Sequence, residues 1–281
     1  MSQSPIKLTV PATIGLLIVM MGIIIVLFAP FIAPYEQAEF VGNSWAPPSR
    51  DALLGLDNPG RDMFSRLIYG GRTSIFLALL ICLISFSIGV TGAFAAAIMG
   101  RWVDMILSRI VDVFMSIPQL ILALVILSAL GTSIPVLVAT IATIEATRVF
   151  RVSRAVALEI VVLDYVEVAR LRDDPLWRII FLEVLPNALP PLVAEFGVRF
   201  CFTLLFVSSL SFLGLGVQPP LTDWGSMVRD NALAINMGGW APIYPALAIS
   251  VLAIGVNLVV DWYLSQGGIQ SEAIGAAVHG K

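Results

Sequence analysis

Charge is scarce in this chain. Only 12% of its 281 residues are Asp, Glu, Lys or Arg, about half the share usual for a soluble domain. So few charges cannot clothe a surface that meets water on every side. With 58% hydrophobic residues and a mean hydropathy of +0.95, the solvent for most of the chain is lipid. Cysteine is as sparse. Cys82 and Cys201 both lie inside apolar runs, which excludes a disulfide framework and a CxxC metal site. The single histidine, His279, sits in the C-terminal tail and reads as a solvated residue. No Lys/Arg-rich run occurs and the net charge is −3, so a nucleic-acid partner is not indicated. No Gly-x-x-x-x-Gly-Lys-Ser/Thr is present, so the chain is not itself an ATPase. No nucleophile–base pair or metal cluster is legible either, which leaves no enzyme activity and no cofactor to assign to it.

What is present is a set of long uncharged intervals: 8–35, 73–100, 113–144, 200–222 and 231–260. A helix needs roughly 20 residues to cross the hydrocarbon. The first, second and fifth intervals therefore predict one span each, near 12–33, 74–99 and 241–262. The third is too long for one span and too short for two. It contains the turn signal Gly131-Thr132-Ser133-Ile134-Pro135, which predicts a hairpin of helices near 105–130 and 134–152. The fourth becomes a span by starting near 190, taking in Glu195 and Arg199. The expected fold is an all-α integral membrane protein with six transmembrane helices. The first run exceeds the usual 7–15-residue core of a signal peptide and no small-residue cleavage site precedes Tyr35, so it reads as an uncleaved anchor.

With six spans both termini share a side. Lys7, Arg101, Arg109, Arg148, Arg151, Arg154, Arg170, Arg172, Arg178 and Lys281 fall there, against Arg50, Arg61, Arg66, Arg72 and Arg229 opposite. That excess places the termini in the cytoplasm. The first external segment, 35–72, carries apolar Met63, Phe64, Leu67 and Ile68, a spacing that predicts a short amphipathic helix over 61–70 in the membrane interface. In the second, 214–240, Trp224 and Trp240 read either as interfacial anchors or as partner contacts.

The longest cytoplasmic loop, 151–186, has no anchoring duty. Over 164–172 apolar Tyr165, Val166, Val168, Ala169 and Leu171 cover a broad helical face, with Asp164 placed as N-cap and Glu167 at the capping-box position. Asp173-Asp174-Pro175 stops this helix. A second amphipathic piece, with Leu176, Ile179, Ile180 and Val184 on one face, ends at Leu185-Pro186-Asn187. Such a pair fits either an interfacial helix on lipid or a docking helix for a soluble partner.

The stretch from Tyr165 to Val193, with Pro186 placed 19 residues after Glu167, resembles the EAA loop of ABC importer permeases. Leu54-Gly-Leu-Asp-Asn-Pro-Gly-Arg-Asp62, Ser65-Arg-Leu-Ile-Tyr-Gly70, Leu210-Ser-Phe-Leu-Gly-Leu-Gly216 and Asp223-Trp-Gly-Ser-Met227 resemble signatures of the DppC/OppC-like branch, in order across residues 8–264. The resemblance implies a type I importer transmembrane domain organised as an anchor over 1–34, an external segment over 35–72, a permease core over 73–264 and a tail over 265–281. It also implies a second DppB/OppB-like permease, two ATPase subunits that hold ATP and magnesium, and an extracytoplasmic solute-binding protein. The location it implies is the bacterial inner membrane. The family's helix fits a groove on the ATPase. Carried over, Asp164, Tyr165 and Glu167 would meet that subunit, Val168, Ala169 and Leu171 would fill the groove, and Asp173, Leu185 and Pro186 would shape the loop. Two positions depart from the pattern: Val168 replaces the first alanine, and Asp173 replaces a glycine. Aspartate is among the few residues that tolerate the left-handed turn such a glycine supplies.

Glu195 and Arg199 stand i, i+4 in the fifth span, the favourable order for a helical ion pair; a self-paired structural couple is the preferred reading and a pathway role the other. Glu145 and Arg148 are placed near the end of the fourth span, where snorkelling is cheap. Pro118, Pro190 and Pro191 predict kinks. An ion-coupled carrier or channel is the competing class and a membrane scaffold the third. A carrier calls for midplane carboxylates and internal repeats, neither of which the pattern shows.

Overall fold

The structure, a computed structural model, describes residues 8–279, without the side chains of Arg170 and of residues 267–279. His279's side chain and the termini counted for orientation, Lys7 and Lys281, lie outside that description. The elements in order are α1 (Val10–Ile32), α2 (Met63–Ile98), α3 (Arg101–Ser116), α4 (Gln119–Leu130), α5 (Ile134–Val161), α6 (Asp164–Leu171), α7 (Leu176–Arg178), a π-helical stretch Ile179–Val184, α8 (Leu185–Phe212), α9 (Trp224–Asp230), a 3-10 turn Ala232–Met237 and α10 (Ile243–His279). Four helices are long and apolar enough to cross a membrane: Val10–Ile32, Met63–Ile98, Leu176–Phe212 and Ile243–Gln266. The pair α3 and α4 makes a fifth if counted as one broken span. The remaining member of the expected six is α5, 28 residues long. It carries Glu145, Arg148, Arg151 and Arg154 and keeps much of its surface against α2, α3 and α8 rather than lipid.

Three expectations are corrected here. The separate interfacial helix over 61–70 does not exist: α2 starts at Met63 and runs unbroken for 36 residues. Asp62 caps it, accepting from the Ser65 N–H and hydroxyl, each at 2.7 Å. Its apolar start faces protein, since Met63 shares a buried cluster with Trp224 and Met227. The single helix over 105–130 is broken by 86° at Ile117, extended, and Pro118: the kink expected of Pro118 is a full break, because a residue before proline avoids the helical region. Finally, α5 does not stop near 152 but continues to Val161. Its arginines are no barrier to a helix once they find partners on α3. Arg154 bonds Asp104, with Nη2 2.5 Å from Oδ2, and Arg151 bonds Asp112 at 2.8 Å.

At the end of the bundle where α1 stops and α2 starts, the two long loops are tied to each other. Asp57, fully buried, accepts from the Arg61 N–H at 2.7 Å and from Arg61 Nε at 3.0 Å, and pairs with buried Arg66. Arg66 Nη2 donates to Thr222 at 2.8 Å, and the Asn58 N–H donates to Asn231 at 2.9 Å. Trp224 is no interfacial anchor: it is 3% exposed, with Nε1 donating to the Leu67 carbonyl at 2.9 Å and its N–H to Ser74 at 3.0 Å. Trp240 is 63% exposed, open to either of its two expected roles.

The motifs around 210–227 prove to be a packing device. Asp223 and Ser226 form a reciprocal capping box at the start of α9. Gly225 then lets α9 lie on α8, because a Cβ there would sit 2.2 Å from the Ser208 carbonyl oxygen. Backbone cannot yield as a flexible side chain does. Gly225→Val is expected to lower stability by about 3 kcal/mol or more, beyond ordinary overpacking, read as a fall in the thermal midpoint of the purified protein. Gly89 serves α2 in the same way, 2.8 Å from the Ala146 carbonyl oxygen for an added Cβ, and brings α2 against α5 beside Glu145.

Candidate functional site

At the opposite end, α5 hands over to α6 through Val162 and Leu163. The helix begins at Asp164 rather than after it, with the Leu163 carbonyl accepting from the Val166 N–H at 3.0 Å. Asp164 is therefore not the N-cap; it and Glu167 sit as acids in the first turn, where the helix dipole favours negative charge. The apolar residues divide into two faces. Val166 and Ala169 are fully buried, in one cluster with Ile179, Val184 and Ala188. Val168 is 51% and Leu171 78% exposed, as is Val162 at 78%. Ala169 is thus turned to the chain's own core and is not free to fill a partner's groove, a correction to the expected set. Glu167 is exposed and, with Val161, Val162 and Leu171, lines an outward hollow of about 520 Å³.

The turn after α6 carries the residue that departs from the family pattern. Asp173 has φ 54, in the left-handed region, and the Asp174 N–H reaches back to the Ala169 carbonyl at 3.2 Å. This is the six-to-one bond that closes a helix at a left-handed residue. Aspartate does there what the replaced glycine would. Asp173→Gly is expected to keep uptake and to gain up to about 1 kcal/mol, since even a tolerant L-residue carries a cost at positive φ. Asp173→Val, β-branched where φ is positive, is expected to lose both, checked by uptake and thermal unfolding side by side.

Asp174 fastens the turn from both sides, 3.0 Å from Arg172 and 3.2 Å from Arg178. The Tyr165 hydroxyl lies where burial, and then the Glu183 charge, push its pKa up. The second amphipathic piece does not end at Leu185-Pro186. Leu176–Phe212 is one helix of 37 residues, with the π-helical stretch immediately before Leu185 and Pro186. A wider turn there relaxes the ladder ahead of Pro186, Pro190 and Pro191, none of which can donate an N–H. Leu185 is half-buried and Pro186 exposed. Leu176–Phe212 therefore runs from the turn after α6 into the bundle without a break.

On that rod Glu195 and Arg199 pair, with Nε 2.5 Å from Oε1. Glu145 joins them from α5, its Oε2 3.6 Å from Arg199 Nη1. It does not snorkel: at 1% exposed it is shielded by α2 and α8. The sequence pattern placed Glu195 and Arg199 inside the span but hid the depth of Glu145, because a single acid near the end of an apolar run gives no sign of what packs over it.

A bent helix pair, a bundle of long apolar helices and a rigid amphipathic loop between two of them describe a membrane transport core. Residues 88–265 match the model of the family described as binding-protein-dependent transport system inner membrane component. The chain belongs to this family. It is a multi-pass permease subunit of an ABC importer. Among its relatives, the dipeptide transport system permease protein DppC of Escherichia coli is 35% identical over 89% of the permease and 86% of the relative. The di/tripeptide permease protein DppC of Pseudomonas aeruginosa is 34% identical over 88% and 84%. The DppC of Alkalihalophilus pseudofirmus is 32% identical over 89% and 83%. In the permease, α6 and the turn at Asp173 fall within the matched residues 88–265, and the buried lock at Asp57 and Arg66 precedes them.

Proposed function

We propose that this permease, with a second permease chain, forms the pathway of a peptide importer, and that α6 docks on one of two ATPase subunits. ATP and magnesium reside on those subunits, and a solute-binding protein delivers cargo at the opposite face. The observation that carries this reading is the split of α6 into two faces. Val166 and Ala169 fix the helix to the bundle while Val162, Glu167, Val168 and Leu171 face outward. Exposed apolar residues beside a fixed acid suit a protein groove, and Asp174 keeps the segment stiff enough to transmit motion. Closure of the ATPase pair then tilts α6 and moves α8, opening the pathway to alternate sides. In this arrangement the α6 end and both termini are cytoplasmic, the locked loops 35–62 and 213–242 are extracytoplasmic, and peptide cargo follows the relatives' names.

The test is purification of the tagged permease from its own membranes in mild detergent. Recovery of a second permease and P-loop ATPases, with ATP-dependent uptake of a dipeptide after reconstitution with the cognate binding protein, is the expected outcome. A chain recovered alone and active without nucleotide would contradict it.

A further inference from the structure

The charge cluster between α5 and α8 is more than a resting ion pair. Arg199 commits Nε to Glu195 at 2.5 Å and lays its guanidinium over the Phe202 ring at 5.4 Å. Its Nη1 has no hydrogen bond, and neither do the two carboxylate oxygens of Glu145, all of them shut from solvent. A free donor and a free acceptor thus face each other at 3.6 Å, within ion-pair reach but beyond the 2.7–3.2 Å of a formed N–H···O bond. Arg148, three residues along α5, and Glu195 are the other charges near Glu145; the Coulomb attraction of Arg148 for it exceeds that of Arg199, without an ion-pair contact among the described residues. A buried carboxylate without a hydrogen bond is costly, and costlier at membrane depth. A cluster whose only task was to stabilise this arrangement would close that gap.

We propose that Arg199 is an exchangeable counter-ion. It is held by Glu195 within α8 in the present state and shared with Glu145 when α5 and α8 approach, so that the bond sets their spacing during the cycle. The connection is direct. Glu145 lies 16 residues before the end of α5, and Arg199 lies on the continuous Leu176–Phe212 rod. Residues 162–175 join the two helices, so a tilt of α6 changes their separation. An approach of less than roughly 1 Å converts 3.6 Å into a charge-assisted hydrogen bond. Glu145 is thereby a positioning residue for the transport step, and Glu195 its competitor. The inference rests on the permease reading for the existence of a cycle.

The test places spin labels at Leu158→Cys on α5 and Leu189→Cys on α8, both exposed, with Cys82 and Cys201 replaced by alanine, in the whole complex in lipid nanodiscs. Pulsed dipolar distances are read with and without trapped nucleotide. Without nucleotide, Glu195→Gln is expected to shorten the distance relative to wild type, because Arg199 is left with Glu145 alone and draws α5 and α8 together. Glu145→Gln is expected to hold the nucleotide-free distance under both conditions and to cut ATP-driven uptake at least tenfold. Superimposable distributions for wild type and both variants overturn the proposal, as does a shift of Glu195→Gln in the opposite direction. Should Glu145→Gln fail to assemble, the nucleotide-free result for Glu195→Gln decides by itself. That arm needs no ATPase contact, so its failure is distinguishable from failure of the docking reading.

Discussion

Asp57→Ala is expected to cost the folded chain about 3–5 kcal/mol, a large part of the margin a domain of this size holds. Asp57 is fully buried and Arg66 is 3% exposed, and the carboxylate is the sole acid paired with both Arg61 and Arg66 among the described residues. Removing it leaves a guanidinium without counter-charge, with Arg66 Nε already lacking a partner. The lock also holds the contact of Arg66 with Thr222, so the loop over 213–223 should loosen with it. Exchange of both members for apolar residues, Asp57→Leu with Arg66→Met, is expected to recover much of the loss, because a buried pair contributes little over an apolar substitute. Thermal unfolding of the three proteins in one detergent decides the matter. A single variant as stable as the parent would mean that water reaches Arg66.

Glu167→Lys is expected to abolish ATP-driven uptake while leaving the chain inserted and folded. Glu167 is exposed and makes no ion pair among the described residues, so the fold loses only the modest favour of an acid in the first turn of α6, about 0.3–1 kcal/mol. The effect on docking is larger, because Glu167 stands among exposed Val162, Val168 and Leu171, and reversing its charge opposes whatever basic or amide group receives it. Glu167→Gln should retain part of the uptake. Normal uptake by Glu167→Lys at normal expression would remove α6 from the coupling path.

Much of this was legible before any coordinates. Uncharged intervals located α1, α2 and α10, because lipid leaves little room for charge along a span. Gly131 ended α4 with φ 89 where the turn signal stood, and Asp173 adopted the left-handed turn its type allows. The errors share a cause, which is that protein, not only lipid, surrounds these helices. Arg151 and Arg154 looked like a loop because their acids, Asp112 and Asp104, lie 39 and 50 residues away. Glu145 looked peripheral because nothing in its neighbourhood announces Arg199 on another helix. The resemblance assigns Ala169 to the groove with Val168 and Leu171, whereas the core under α6 takes the face bearing Val166 and Ala169. The 61–70 segment, apolar enough for an interface, instead found Trp224 through a loop some 150 residues on.

The most direct measurement on the central claim is photo-crosslinking from α6 in native membranes. A benzophenone amino acid at Leu171, 78% exposed, or at Val168 should capture an ATP-hydrolysing subunit. The same probe at Val166, fully buried, should stay within the permease. Adducts from Leu171 and Val168 with phospholipid alone would contradict the account.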